Sequence, residues 1–171
     1  LEIREVTGLP VIGLVKRSYP DSAIYITPTH QEVAELLATG CEVIALDMTD
    51  RPRPGNEQMP DLVQQIHEAG RLVLADISTF AEGTAAAEMG ADAISTTLSG
   101  YTPYSPQLSG PDIQLLRDLS MKMTVPVFAE GRIHTPADVR TVMEAGAFAP
   151  IVGSAITRPQ LITASFVQAL A

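Results

Sequence analysis

Lys16, Asp47, Asp76 and Glu130 each stand where a short apolar run of this sequence stops. An amine grouped with carboxylates can move protons. A free lysine is a poor base at neutral pH, but burial or a neighbouring cation lowers its pKa into range. Lys16 is therefore the candidate reacting group, with Asp76 and Glu130 suited to orienting substrate hydroxyls or relaying protons. Asp47 reads equally as a substrate contact or as a group that satisfies backbone at a rim. Arg17 follows Lys16 directly, but successive strand residues point to opposite faces, so it need not be the cation that tunes the amine. Taken singly, each charge also reads as a place where a strand meets water, and Lys16 as a surface lysine. Their recurrence at equivalent positions is what argues for a common mouth.

Two later run ends carry a different chemistry. AEGR and VGSAITRP supply Gly131 and Gly153 for close backbone approach, Ser154 for a hydroxyl, and Arg132 and Arg158 for positive charge. Backbone N–H groups at the start of a helix bind phosphate, and the last two strands of a βα-barrel frequently provide them. His30, His67 and His134 show no metal-ligand spacing, and no HExxH, CxxC or EF-hand pattern occurs, so nothing calls for a metal or a cofactor. The stretch LSGYTPYSPQLSGPD at 98–112 reads either as a lid over a ligand or as a plain long connection.

The elements that must position these residues follow from periodicity. Apolar runs at 10–15, 43–48, 72–77, 92–97, 126–131 and 150–155 predict six strands. Helical periodicity between them is clearest at 30–39, 61–69 and 137–145, and strands alternating with helices imply parallel βαβ units. Thr29 with Glu32 and Thr79 with Glu82 have capping-box spacing, and Thr135-Pro136 places an N-cap before a proline. Gly40, Gly70, Gly90 and Gly146 fit left-handed helix ends.

A doubly wound sheet would advertise a GxGxxG turn, and none is present. A (β/α)8 TIM barrel lacking its first two strands, with about six βα units in one domain over 1–171, is the expectation. That barrel would need roughly 50 further residues ahead of Leu1, where the chain opens inside a helix expected to stop at Gly8. The apolar fraction of 46% suits such a covered parallel sheet.

The formal net charge is −9, which makes nucleic acid and anionic membranes poor partners and leaves any anionic ligand to local donors. No apolar run is long enough to span a bilayer, and the lone Cys41 suits a reducing cytoplasm.

GLVKR at 13–17, YITPT at 25–29, IALD at 44–47, ADIST at 75–79, TTLSGYTPYS at 96–105, AEGRIHTP at 129–136 and VGSAITRP at 152–159 resemble the N-acylglucosamine-6-phosphate 2-epimerases, also called N-acetylmannosamine-6-phosphate 2-epimerases. The resemblance runs along nearly the whole chain. It implies a (β/α)8 barrel that interconverts N-acetylmannosamine 6-phosphate and N-acetylglucosamine 6-phosphate in sialic acid breakdown, without metal or redox cofactor. Lys16 would remove and return the C2 proton of the open-chain sugar, Glu130 and Asp76 would be the site carboxylates, and Arg158 would contact substrate. A homodimer is expected. Family members carry a strand-end Gln and an Arg on two earlier strands, which have no counterpart in this sequence. A Schiff-base lyase using Lys16, or a phosphosugar-binding barrel without turnover, would share many of these features.

Overall fold

The computed structural model describes residues 2–170. Six strands form one all-parallel sheet in sequence order: β1 (Ile12–Gly13), β2 (Val43–Asp47), β3 (Leu72–Asp76), β4 (Ala93–Ser95), β5 (Val127–Glu130) and β6 (Ala149–Ile151). Helix α1 (Glu2–Thr7) precedes the sheet and stops at Gly8, whose φ of 67° is left-handed. The crossovers are α2 (His30–Thr39), α3 (Met59–Glu68), α4 (Phe80–Glu88), α5 (Ile113–Lys122) and α6 (Pro136–Glu144). Short α7 (Ser154–Thr157) and α8 (Pro159–Gln168) follow β6. Strictly sequential parallel order is the topology of a βα-barrel wall.

The helices bury one face against the sheet. Val33 and Leu36 of α2, Leu62 and Ile66 of α3, and Leu116 and Leu119 of α5 join Ile44, Val73 and Ile94 in one apolar cluster. Burying side chains of this size stabilises by about 1.5–3 kcal/mol each, before the entropy of ordering them is subtracted.

β1 is shorter than its apolar run, for a local reason. A Cβ on Gly13 would lie 2.8 Å from Cys41 Sγ, so only glycine lets the strand approach the end of α2 this closely. Beyond Gly13 the chain leaves the parallel sheet and pairs with itself. Lys16 bridges Ile26 in antiparallel fashion, with Arg17 N–H donating to Tyr25 O at 2.9 Å and Thr27 N–H to Val15 O at 2.7 Å. Thr27, fully buried, has a φ of 42°, a strained value for a β-branched residue. β6 likewise stops at Ile151, because the backbone turns into α7 at Gly153 and Ser154.

The expected caps are present. Thr29 and Glu32, and Thr79 and Glu82, exchange both capping-box bonds, and Thr135 does the same with Asp138. Glu82 does more than cap its own helix. Its carboxylate accepts from Ser78 N–H at 2.8 Å, Thr79 N–H at 2.9 Å, Asp50 N–H at 3.0 Å, the Ser78 hydroxyl at 2.7 Å and the Tyr104 hydroxyl at 2.7 Å. It thereby ties together the loops that follow β2, β3 and β4.

Burial works against an ionised Glu82, but the donors from Asp50, Tyr104 and Ser78 outweigh it and hold the carboxyl below its usual range. A carboxyl depressed in the folded state stabilises fully above its unfolded pKa of about 4.3, and that contribution is lost as pH falls through the folded value. Glu82→Gln is expected to cost about 1–3 kcal/mol at pH 7. The variant should also lose less stability than the native chain on acidification, as read from urea unfolding between neutral and acid pH. An equal acid loss in both proteins would refute this role.

Candidate active site

Strand register builds the site. Asp47 pairs with Asp76, and Asp76 with Ser95, so these three side chains share a row across β2, β3 and β4. Ser95 pairs with Phe128, which places Thr97 and Glu130 together two residues further on. Ser95 and Thr97 point to the same face as the carboxylates, while Thr96 between them points away. The Thr96 hydroxyl accepts from Glu130 N–H at 3.1 Å and donates to Glu130 O at 3.0 Å, extending the β4–β5 ladder past its last strand residue.

A cavity of about 420 Å³ opens at these strand ends. Lys16, Thr97 and Glu130 line one part of it, and Gly131, Gly153, Ser154 and Arg158 another. The Lys16 ammonium lies 5.8 Å from the Tyr25 ring centroid. Sequence-predicted residues from the ribbon after β1 and from the ends of β5 and β6 are thus brought together. Asp76 sits just behind, 1% exposed, and reaches the cavity through Thr97. Burial, then the negative charge of Glu130, pushes the Asp76 carboxyl well above its ordinary range, against the pull of Thr97 and Lys16. Burial also raises Glu130, partly offset by hydrogen bonds from Thr97 and Ser95 and by the Lys16 charge.

Two expected site residues, Asp47 and Arg132, stand differently from the rest, and Arg17 stays outside the site as expected. Asp47 is fully buried and does not line the cavity. One of its carboxylate oxygens accepts from Thr49 N–H at 3.1 Å and the Thr49 hydroxyl at 2.7 Å, and the other pairs with Arg51 at 2.5 Å. Arg17 points away from the cavity to Glu32 and Glu35 on α2, as strand alternation requires, so it does not act as a cation beside Lys16. Arg132 lines the cavity, but its Nε donates to Gly110 O at 2.8 Å and its Nη1 to Ser99 O at 2.5 Å, fastening the 98–112 loop. Gly100, at a φ of 80°, leaves the room that this guanidinium occupies.

Within that loop Tyr101 stacks 5.7 Å from the Arg132 guanidinium, and the Ser99 hydroxyl donates to Asp112 at 2.7 Å. The segment is a fastened wall of the cavity.

Two residues of consequence were missed by reading strand ends alone. Thr97 was visible as part of the Thr96-Thr97 strand end, and its place opposite Glu130 follows only once the register is known. Arg53 has no periodicity to announce it. It is 5% exposed; its Nη1 donates to Thr27 O at 3.2 Å and Pro28 O at 2.8 Å, and its Nη2 to Asp47 O. Burial lowers its pKa to about 10, against the attraction of Asp47 and Glu57.

Among the described residues no cluster of His, Cys, Asp and Glu has the geometry to hold a metal ion, and no helix is long and apolar enough to cross a membrane.

A sequential parallel sheet with a lysine and carboxylates at the C-terminal ends of its strands is a wall of a βα-barrel, the end at which such barrels carry their chemistry. The chain belongs to the N-acetylmannosamine-6-phosphate epimerase family, whose model matches residues 1–171. A relative from Clostridioides difficile named as N-acetylmannosamine-6-phosphate 2-epimerase is 57% identical over 170 residues, covering 99% of this chain and 76% of that protein. The solved structure of the N-acetylmannosamine-6-phosphate 2-epimerase from Clostridium perfringens superposes with a TM-score of 0.94 at 54% identity, over 98% of this chain and 73% of the other. FabK from Thermotoga maritima, at 16% identity and a TM-score of 0.65 over 90% of this chain and 44% of its own, shares the fold alone.

The raised Asp76 carboxyl has a consequence for stability. A carboxyl whose folded pKa exceeds its unfolded value of about 3.9 contributes fully below that value, and the contribution is lost as pH rises through the folded one. Toward pH 8 the cost of ionising this carboxyl, or of keeping its proton, therefore opposes folding. Asp76→Asn keeps the shape and should raise Tm at pH 8 by ~2–4 °C, with a smaller gain at pH 4. Calorimetry at the two pH values checks this; a Tm at pH 8 equal to or below native would contradict it.

Proposed function

We propose that this chain interconverts N-acetylmannosamine 6-phosphate and N-acetylglucosamine 6-phosphate by removing and returning the C2 proton of the open-chain sugar, as part of sialic acid catabolism. The observation that carries the reading is the single cavity shared by Lys16, Glu130, Gly153, Ser154 and Arg158. It offers a base, an acid and a phosphate pocket to one ligand.

The aldehyde at C1 acidifies the C2 proton, so the chemistry is proton abstraction next to a carbonyl. Lys16 is the base. Glu130 faces the developing charge on the carbonyl oxygen, and Asp76 supports it from behind. The phosphate lies on the backbone N–H groups of Gly131, Gly153 and Ser154, with the Ser154 hydroxyl and the Arg158 charge beside it. Arg132 contributes through its backbone turn and by holding the loop, and Asp47 through the order of the rim. A phosphate also reconciles an acidic chain with an anionic ligand, since attraction is supplied where the ligand binds.

The same reading places the protein in the cytoplasm, in keeping with a lone, buried, free Cys41, and as a homodimer. Apolar side chains left exposed on α8, such as Leu161 and Phe166, support association of that kind.

The test is proton NMR of N-acetylmannosamine 6-phosphate in deuterated water. Deuterium should enter C2 as the second epimer appears, and Lys16→Ala should slow that exchange at least ~100-fold while phosphosugar binding stays within about tenfold. Absence of exchange with the native protein would overturn the epimerase reading. Undiminished exchange in the variant would remove Lys16 from its role.

A further inference from the structure

The polar cluster beneath the cavity contains more close oxygen contacts than its hydroxyl protons can fill. Thr97 Oγ1 lies 2.6 Å from Asp76 Oδ1, 2.7 Å from Ser95 Oγ and 3.1 Å from Glu130 Oε2, and Ser95 Oγ lies 3.3 Å from Glu130 Oε2. Each contact needs a proton between its oxygens, and the two hydroxyls bring one each. If both carboxylates are ionised, two of the contacts set lone pair against lone pair. One proton on the carboxyls removes most of the conflict. Thr97 then donates to Asp76 and accepts from Ser95 and from the Glu130 carboxyl, leaving only the longest contact unfilled.

From this count we infer that Asp76 and Glu130 hold one proton between them at neutral pH, exchanged across the Thr97 hydroxyl, and that Glu130 delivers it to the substrate. Thr97 is the positioning residue of that pair.

Burial points the same way. Asp76 Oδ2 is enclosed with no hydrogen-bond partner, which a full carboxylate charge tolerates poorly. Both carboxyls are raised, Asp76 first by burial and then by the charge of Glu130. The charged groups facing the pair are Lys16 from the ribbon after β1, which favours ionisation of both, and Asp47 from β2, which opposes it at Asp76. Two coupled carboxyls of this kind titrate as a unit, with one macroscopic pKa pushed down and the other up.

The step rests on the epimerase reading and balances as follows. The neutral Lys16 amine takes the C2 proton, and the C–H electron pair moves to the carbonyl oxygen. Glu130 gives its proton to that oxygen, leaving a neutral enol and two ionised carboxylates that share the Thr97 donor. The enol turns to present its other face to Lys16, and its proton returns to Glu130 as the Lys16 ammonium gives its proton to C2 on that face. The proton count is restored.

Infrared difference spectroscopy of the native protein at pH 7 reads the C=O stretch of a protonated carboxyl, a signal that carboxylates lack. The band is expected at pH 7, should shift on carbon-13 labelling of Asp and Glu, and should vanish in the Asp76→Asn, Glu130→Gln double variant. Epimerisation without such a band would overturn the shared proton. A band without epimerisation would keep the shared proton and sink the functional reading instead.

Thr97→Val removes the hydroxyl that stabilises the singly protonated state, so the basic limb of the kcat–pH profile, where the shared proton is lost, should move to lower pH. Its kcat should fall about 10- to 100-fold with KM changed less than about threefold, and Thr97→Ser should restore both the rate and the profile. A profile unmoved in Thr97→Val would overturn the relay.

Discussion

The constraint that organises this molecule lies at its mouth, where every strand ends and every helix begins. Backbone groups there have lost the regular partners of sheet and helix, yet several are buried, and each buried one needs a partner. Two charged side chains meet several of those demands at once. Glu82 collects N–H groups from the loops after β2 and β3 and a hydroxyl from the loop after β4. Arg53 collects the carbonyls of Thr27, Pro28 and Asp47. A carboxylate satisfies donors and a guanidinium satisfies acceptors, and neither uses an ordinary ion pair to do so. The strained backbone at Thr27 is held by that Arg53 contact, and Thr27 in turn anchors the ribbon that carries Lys16. The Lys16 ribbon is therefore positioned by a residue on a different loop, nearly forty residues away in sequence.

Environment then divides the carboxylates into two populations. Glu32 and Glu82 are buried among donors, and their titration is depressed despite the burial. Asp76 and Glu130 have fewer donors, and their titration is raised, Asp76 by burial and then the charge of Glu130, and Glu130 by burial. The first pair stabilises the fold at neutral pH. The second works against it once ionised and holds its protons to higher pH than an ordinary carboxyl does.

Much of this was legible in the sequence because it depends on short-range chemistry. Capping boxes at Thr29 and Thr79, the left-handed glycines and the apolar runs are local signals, and the helix at His30–Thr39 falls where periodicity placed it. Strand ends delivered Lys16, Glu130 and the Gly153 turn to one cavity because parallel strands point one way. What escaped depends on contacts between distant segments. The role of Thr97 follows from register, which no local pattern states. Arg132 looked like a free phosphate ligand beside a glycine, but its guanidinium reaches back to carbonyls at Ser99 and Gly110. Asp47 has the same strand-end address as Asp76, yet Thr49 and Arg51 from the following loop close it off. A charge at a strand end is thus a candidate whose fate the loops decide.

The charge balance of the cavity joins these points. The chain is acidic overall, with a net charge of −9, and a phosphosugar arrives with negative charge of its own. Around the cavity the cations not engaged by backbone carbonyls are Lys16 and Arg158, among the described residues that line it. With Asp76 and Glu130 both ionised, two negative charges would stand at the mouth that the ligand enters. One retained proton removes one of them, without adding another basic residue. A single buried proton would then serve two ends: it eases entry of the phosphate, and it stands next to the oxygen on which negative charge must appear when C2 is deprotonated. Buried carboxylates that destabilise the fold are, on this argument, what lets an acidic barrel bind and activate an anion.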